Sequence, residues 1–340
     1  MANESGISIC VPCYNSCATL ASTLNSLLKQ DYVPYDITVS DNGSTDGTLD
    51  ILEPYVSRGD ITLYHNNKKT GGENFTKCIE LGSREYTAIY HSDDVYDSNI
   101  LSSQVRVMKS HPEVGVVFSG ARLIDQDGMV IGEINLDFFK NDITILTFSE
   151  LYKLILKHYN FLICPSALVR THIYQNEIKT WRQDLFGSSM DLDVWLRIAA
   201  RYKVAIIKTP LMSLRKWDKQ WSYFSDHINK ERAAIFKVLE HHGKAPELEP
   251  LNAKDLFNYK NLIMADHLKV ATNLALANEH DKARQHLKPV FVKDTFKHGL
   301  HSKKRLKIII YALTLWAASL PMIRKLGKPL LVACKKRYSR

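Results

Sequence analysis

The chain has 340 residues, 45% of them apolar and 24% charged, with a formal net charge of +9. That balance excludes a disordered or fibrous chain and allows a sizeable core, in two domains or in one domain with an appendage. The charge is uneven: residues 301–340 hold eleven Lys and Arg and no acidic side chain, which leaves 34 basic and 36 acidic ones in the first 300. A nucleic-acid binder carries its basic charge on the folded domain, so nucleic acid is not expected as a partner. Met1 to Gly6 is polar, and the apolar run behind it is too short for a signal peptide. A cytoplasmic chain is expected, with its six cysteines as free thiols.

Ile7-Ser8-Ile9-Cys10-Val11 alternates as a strand that Pro12 ends. Cys10, Cys13 and Cys17 follow C-x-x-C-x-x-x-C, but no second Cys/His pair at ligand spacing comes after them, which favours buried thiols over a zinc or iron–sulfur site. Asn15 and Ser16 are expected to start a helix with Leu20, Leu24, Leu27 and Leu28 as its stripe. Asp31 to Tyr35 reads as a turn. A second strand, Ile37 to Ser40, ends in Asp41. Gly43 and Gly47 let the chain bend there, and Asp46 or Thr45 caps the helix carrying Leu49, Ile51 and Leu52. On this reading Asp41 has no structural task and can accept hydrogen bonds from a nucleobase.

A third strand, Ile61 to Tyr64, leads into the loop Lys68-Lys69-Thr70-Gly71-Gly72. Its lysines either cradle a phosphate or stand solvated; the Walker pattern G-x-x-x-x-G-K-[ST] is not there. Asn74 to Ser83 follows as a helix. The fourth strand, Tyr86 to Tyr90, delivers His91-Ser92-Asp93-Asp94. Strands alternating with helices at this spacing form a parallel βαβ series. Ligands of such sheets bind at the carboxyl ends of the strands, where Asp41, Asp93 and Asp94 all lie. A carboxylate pair there can seat a divalent cation, and a cation has work to do where the ligand carries phosphates.

Four segments in order, Val11-Pro12-Cys13-Tyr14-Asn15, then Ser40-Asp41-Asn42-Gly43-Ser44-Thr45-Asp46-Gly47-Thr48, then Glu73-Asn74-Phe75 with Glu85-Tyr86, then Ser92-Asp93-Asp94, together resemble the family 2 glycosyltransferases of the bacterial surface-polysaccharide type. The resemblance runs to about residue 222. It implies a GT-A fold: a doubly wound α/β domain with a mainly parallel central sheet that binds a nucleotide-sugar, here followed by an α-helical C-terminal region. It implies that Asp41 holds the base and that Pro12, Tyr14, Asn15, Asn42, Ser92, Asp93 and Arg215 contribute to the nucleotide-sugar site. The family's D-x-D metal motif falls on His91-Ser92-Asp93, with His91 where the first aspartate belongs. Asp93 is then the principal metal ligand. His91 either joins it, which a neutral imidazole does better for Mn²⁺ than for Mg²⁺, or merely packs at the strand end, and Asp94 is a further candidate.

Leu101 to Met108 reads as a helix, Val114 to Phe118 as a fifth strand, and Asp125-Gln126-Asp127-Gly128 as a hairpin turn. Residues 133–146 are expected as a loop near the acceptor. Phe148 to His158 has helical spacing, and Cys164 to Arg170 reads as a strand on the pocket floor. Asp191-Leu192-Asp193-Val194-Trp195-Leu196-Arg197-Ile198-Ala199 resembles the family's helix start E-D-x-D-x-W-L-R-x-A, with Met190 in place of the glutamate. The resemblance makes Asp191 the general base; Asp193 is expected to cap the helix. After the strand Val204 to Thr209, Arg215 matches the arginine of the family's Y-R-x-H, and Trp217 stands where the histidine belongs. Arg215 or Lys216 then either holds the diphosphate or sits in a solvated basic loop with Gln220 and Ser222.

From Phe224 the chain reads as helical over 224–242 and 252–277, with a short helix from Asp281 to Lys288. Lys303-Lys304-Arg305 and Lys307 precede a charge-free run of sixteen residues, Ile308 to Ile323, and two further basic clusters follow. Spanning a bilayer takes about 20 apolar residues, so an interfacial helix held to an anionic membrane surface is expected. The domains expected are 1–222 catalytic, 223–300 helical and 301–340 a membrane-associating tail. The resemblance implies an inverting, metal-dependent glycosyltransferase with Mn²⁺ or Mg²⁺ and a UDP- or dTDP-sugar donor, and with the membrane-associating tail it points to a polyprenyl-diphosphate-linked glycan acceptor. It would act in O-antigen or capsule synthesis, peripherally on the cytoplasmic face of the inner membrane. The departures at His91, Met190 and Trp217 suit an alternative, a non-catalytic nucleotide-sugar-binding or scaffold protein on the same frame.

Overall fold

The computed structural model describes residues 5–66, 70–216, 230–291 and 303–320. Lys68, Lys69, Trp217, Gln220, Ser222, the segment 224–229 and residues 321–340 lie outside the described residues. The chain divides into two compact units, one of residues 1–155, 160–217 and 237–249, the other of 156–159, 218–236 and 250–340.

The first unit is built on a ten-stranded sheet. In chain order its strands are β1 (Ile7–Cys13), β2 (Tyr35–Asp41), β3 (Thr62–His65), β4 (Tyr86–Ile89), β5 (Val95–Tyr96), β6 (Val114–Ile124), β7 (Val130–Glu133), β8 (Ile143–Leu146), β9 (Leu168–Arg170) and β10 (Lys203–Arg215). They lie in the order β3-β2-β1-β4-β9-β6-β10-β5, with β7 added to β6 and β8 to β10. Strands β1–β4, β6 and β10 share one direction, and β9 runs against its neighbours β4 and β6. The mainly parallel α/β sheet expected from the βαβ spacing is therefore present. Ile7, Ile9, Val11 and Val39 are wholly buried, as strands covered on both faces require.

Helices α1 (Leu20–Leu27), α2 (Thr48–Ser57), α3 (Gly71–Leu81), α4 (Ile100–Ser110) and α5 (Phe148–His158) connect the strands, followed by the short α6 (Gln183–Phe186) and by α7 (Met190–Ala199). Several sequence expectations need correcting. Asn15 and Ser16 do not start α1: Asn15 is left-handed at φ 49, and the helix begins only at Leu20. Pro12 does not end β1, which runs on to Cys13 in register with Asp41. Gly71 and Gly72 are not loop but the first turn of α3, because Thr70 and Glu73 close a capping box ahead of them. Gly72 must stay small there: a Cβ would meet Gln183 Cβ at 2.7 Å. Residues 133–146 contain β8, and only Leu168–Arg170 of the segment after Cys164 is a strand, Cys164–Ser166 being a 3₁₀ turn. The turn Asp125–Gly128 does make a hairpin, with Gly128 at φ 85 and β7 returning along β6.

Beyond β10, α8 (Ile235–His242) is followed by α9 (Ala253–Leu276), α10 (His280–Leu287) and α11 (Lys303–Ala318). An Asn252/Asp255 capping box starts α9. In the second unit Leu268, Ala271 and Leu274 of α9, Ala283 and Leu287 of α10, and Ile308, Tyr311, Ala312 and Leu315 of α11 form one core. Helix α11 is thus part of this core, not a separate tail, and the Thr272 and Tyr311 hydroxyls meet at 2.9 Å. Its other face is apolar yet exposed at Leu306, Ile310, Leu313 and Trp316. Among the described residues no helix is long and apolar enough to cross a membrane.

Candidate active site

The parallel strands β1, β2 and β4 end at one edge of the first unit, and the loops after them carry the expected site residues. One buried side chain ties the first two ends together. Asn74 of α3 donates from Nδ2 to the carbonyls of Ser40 at 3.0 Å and Cys13 at 3.5 Å, while its Oδ1 accepts from Ser40 Oγ and Asn66 Nδ2. Each half of the amide is satisfied, as a buried amide requires.

Asp41 is 2% exposed and does have a structural task. Its Oδ2 accepts from the Gly43 and Ser44 amides, and its Oδ1 from Ser44 Oγ. A short aspartate at a strand end folds the following turn around itself in this way, which the sequence reading left out. The same turn meets the loop after β1: Asn15 Oδ1 accepts from the Thr45 amide, and the Asn15 amide donates to Ser44 Oγ. Tyr14 is left 60% exposed at the rim. Asp46 does not cap α2, whose N-cap is Gly47; it fastens the helix by accepting from the Thr48 amide and hydroxyl and from the Cys17 amide.

Past β4, ligand atoms of His91, Asp93 and Asp94 all lie within 4.8 Å of one another. Ser92 holds this loop against the β1 side through Ser16 Oγ at 2.8 Å and by accepting from Thr19 Oγ1 on its carbonyl. The His91 imidazole is pushed down from its ordinary pKa by burial, against the opposing charge of Asp93. Its ring meets the Phe75 ring edge-on at 5.4 Å. Asp94 is wholly buried, and its carboxyl is pushed well up by desolvation and by Asp93. One oxygen, Oδ1, accepts from the Arg215 amide; Oδ2 is buried with no hydrogen-bond partner among the described residues. An orphaned carboxylate oxygen of this kind is costly until a proton or a cation meets it, so these residues fit a divalent ion.

Arg215 corrects a second expectation. It is 5% exposed. Its guanidinium donates to the carbonyls of Asp93, Asp125 and Gln126 at 2.9–3.0 Å. It braces the acidic loop through these main-chain contacts and does not sit in a solvated loop.

Asp191 stands in the first turn of α7. Burial raises its carboxyl to about 6, even though the Leu192 amide, its own amide and Asn160 pull it down. Two residues on, Asp193 is not a cap. It is wholly buried and accepts from Arg182, which grips both its oxygens, from Arg197 Nε at 3.0 Å and from His242 Nε2 at 2.9 Å. Burial would raise its carboxyl, but His242, Arg182 and Arg197 hold it down to about 2. Sequence reading missed this cluster. The Asp193–Arg197 spacing of four along a helix was a legible half of it; His242, forty-nine residues away, gave no signal. Cys164 links the two acidic groups: its Sγ lies 3.8 Å from His91 Nε2. Its thiol is pushed up by burial and by the nearby charges of Asp191 and Asp94.

The sequence model of Glycosyl transferase family 2 matches residues 8–176. This chain belongs to that family. An uncharacterised glycosyltransferase of Rickettsia typhi is 27% identical over 247 residues, covering 69% of this chain and 76% of that protein. In structure the chain is similar to TarS of S. aureus, solved in complex with UDP, with a TM-score of 0.54, 17% identity and coverage of 98% of this chain and 87% of that one. It is equally similar to the mannosyltransferase PcManGT of Pyrobaculum calidifontis, solved with GDP-Man and Mn²⁺, with a TM-score of 0.54, 15% identity and coverage of 98% and 86%. Both likenesses concern the GT-A fold, and the family membership makes the chain a glycosyltransferase.

Proposed function

We propose that the protein is an inverting, cation-dependent glycosyltransferase that moves a sugar from a nucleotide-diphosphate donor to a hydroxyl of a lipid-linked glycan. The observation that carries this reading is the desolvated Asp191 carboxyl at about 6, which shares Cys164 as a neighbour with the acidic loop of His91, Asp93 and Asp94. A base poised near the working pH is what removal of a hydroxyl proton needs. Asp191 takes the proton of the acceptor hydroxyl as that oxygen attacks the anomeric carbon. Attack comes from the face opposite the departing diphosphate, so the configuration inverts. A divalent cation bound by Asp93, with His91 and Asp94 in reach, supplies charge neutralisation to the leaving diphosphate. Asp41, Asn42, Pro12, Tyr14, Asn15 and Ser92 shape the nucleotide side, Asp41 by ordering the turn that faces the base.

UDP in the TarS structure and GDP-Man with Mn²⁺ in the mannosyltransferase support a nucleotide-sugar donor and a cation; we take the donor here as a UDP- or dTDP-sugar. Thermal shift with a panel of nucleotide sugars, with Mn²⁺ or Mg²⁺, identifies it, since a ligand of the folded state alone raises the melting point. Asp93→Asn and Asp191→Asn should then abolish most product formation with a lipid-linked acceptor. Donor binding without any product in the wild type would leave a nucleotide-sugar-binding protein in place of an enzyme.

A lipid-linked acceptor would put the work at a membrane, which we take to be the cytoplasmic face, in O-antigen or capsule synthesis. The exposed row Leu306, Ile310, Leu313 and Trp316 follows helical spacing on α11, and the clusters Lys303-Lys304-Arg305 and Lys335-Lys336-Arg337 lie on either side of it in sequence. Each basic residue near an anionic surface is worth about 1 kcal/mol, and this share is screened by salt. Salt should therefore release the protein from anionic vesicles only in part, and detergent fully. Full-length protein that fails to float with such vesicles would sink the membrane assignment.

A further inference from the structure

The transfer just described leaves unused a cavity of about 630 Å³ in the first unit, a volume in the range of small-molecule sites. Glu73, Thr76, Lys77 and Glu80 of α3 line one side of it at helical spacing. Tyr64 of β3, Trp181 and Asp184 stand among the residues that line the rest. Two ring contacts join this lining to the acidic loop: Trp181 meets Phe75 at 4.6 Å between centroids, and Phe75 meets His91. Arg182, also in the lining, grips Asp193, two residues from Asp191. Charge decides what the cavity can hold. Lys77 is paired with Glu80 at 2.7 Å and lies over the Tyr64 ring, and Arg182 is taken up by Asp193. Among the described residues no cation pairs with Glu73, which accepts from Thr70, and Asp184 has neither an ion pair nor a hydrogen bond. A phosphate is repelled by such a lining, so the cavity is no second nucleotide site. Trp181 is 5% exposed, and its indole Nε1 is buried without a hydrogen-bond partner among the described residues, which leaves one donor of the wall for a ligand.

We propose that this cavity binds neutral or amino-bearing sugar units of the acceptor glycan, away from the hydroxyl that reacts. The inference rests on the reading of the protein as a transferase to a glycan. A sugar ring has a face of C–H groups and a rim of hydroxyls. The face suits the Tyr64 and Trp181 rings. The hydroxyls donate to Asp184 and Glu73, whose ionised carboxylates only accept. An amino group on the sugar strengthens those same bonds by its charge. Through Phe75 and through Asp193 the lining is tied to the acidic loop and to the helix that carries Asp191. Units held here anchor the glycan while its terminal sugar reacts, which is how binding remote from the chemistry assists it.

Full-length protein, without nucleotide or cation, is titrated with maltotriose, mannotriose and chitotriose as neutral probes, with the glucosamine trimer as a cationic one and with trigalacturonate as an anionic one. Tryptophan fluorescence reports binding. At least one neutral or cationic trimer should bind saturably, and trigalacturonate should not. Asp184→Ala should weaken the bound trimer about tenfold, the scale of a hydrogen bond to a charged group. Thr180→Val, which alters a second exposed side chain of the lining, should weaken it less, and melting curves close to wild type certify both variants. In the transfer assay Asp184→Ala should raise KM for an oligosaccharide acceptor and leave kcat and the donor KM unchanged. No binding of any trimer, binding undiminished in both variants, or trigalacturonate bound as tightly as the neutral trimers overturns the inference. If transfer that depends on Asp191 persists in that case, the transferase reading stands without it. If no sugar is transferred with any donor or ion, that reading falls on its own account, whatever the trimers do.

Discussion

Two pairs of aspartates in the first unit are built on opposite electrostatic plans. Asp94 and Asp193 are both wholly buried. Asp94 has one main-chain donor on its carboxylate and a second carboxylate beside it, so burial pushes its pKa well up. Asp193 has two guanidinium groups and an imidazole around it and is held down to about 2. Burial alone therefore does not decide the charge of a carboxylate; the charge of the partners that come with it does. The second pair repeats the contrast within one helical turn. Asp191 is desolvated with only neutral donors, two amides and Asn160, and stands at about 6, while Asp193 stands at about 2. Carboxyls pulled apart in this way mark the division between a group that moves protons and a group that holds structure.

Replacing Asp191 tests the first role. Asp191→Asn should lower kcat by about 10²–10⁴ while leaving the melting temperature unchanged or slightly higher, because the variant no longer buries a carboxylate. A drop in Tm alongside the rate would erase the contrast. Replacing Asp193 should do the reverse. Asp193→Asn leaves Arg182 and Arg197 without their anion, and breaking a buried ion pair from one side costs about 3–5 kcal/mol. Thermal unfolding should shift down by on the order of 10 °C.

The pH dependence separates the two in a single protein. As the proposed base, Asp191 would work only when ionised, and its folded pKa is raised, so kcat/KM should rise with pH through about 6 and then level off. The folded pKa of Asp193 is depressed from the usual value of about 3.9 to about 2. Its contribution to stability is full above about 4 and disappears as pH falls toward about 2. At pH 5 the protein should be slow and still folded, by circular dichroism measured beside the assay. The smallest effect is expected at Asn160, whose side chain favours the ionised form of Asp191. Asn160→Ala should move the rate limb upward by up to about one pH unit.

Much of the first unit was legible. The alternating strands, the acidic residues at their ends and the order of the four motifs all act locally, within a stretch of ninety residues. What stayed hidden was long-range. The sequence leaves Arg215 as a diphosphate ligand or a solvated loop residue, because nothing nearby shows that the carbonyls of Asp93, Asp125 and Gln126 take its guanidinium and the Asp94 carboxylate its amide. Asp193 reads as a cap because position at a helix start suggests one, while two of the groups that claim it, Arg182 and His242, arrive from outside its helix. Asp41 was misjudged for the opposite reason: its partners, Gly43 and Ser44, were adjacent, and the Asx turn they make was overlooked. The Thr70–Glu73 box was likewise readable, and it would have placed the start of α3 correctly. In the second unit the apolar run from Ile308 announced a hydrophobic helix, but composition cannot say that one face joins a protein core while the other stays uncovered.

The Asp41 turn also bears on how the protein ages. Asn42-Gly43 is the dipeptide most prone to spontaneous deamidation, in which the glycine amide nitrogen attacks the asparagine side chain and closes a succinimide. Here the Gly43 amide donates its hydrogen to Asp41 Oδ2 at 3.1 Å, and the Asn42 side-chain oxygen Oδ1 is buried. Ring closure has to break that bond and swing the nitrogen into a covered site. The carboxylate that orders this turn thus also guards its neighbour chemically, and the native protein should keep Asn42 intact long after an unfolded sample has converted it to aspartate and isoaspartate.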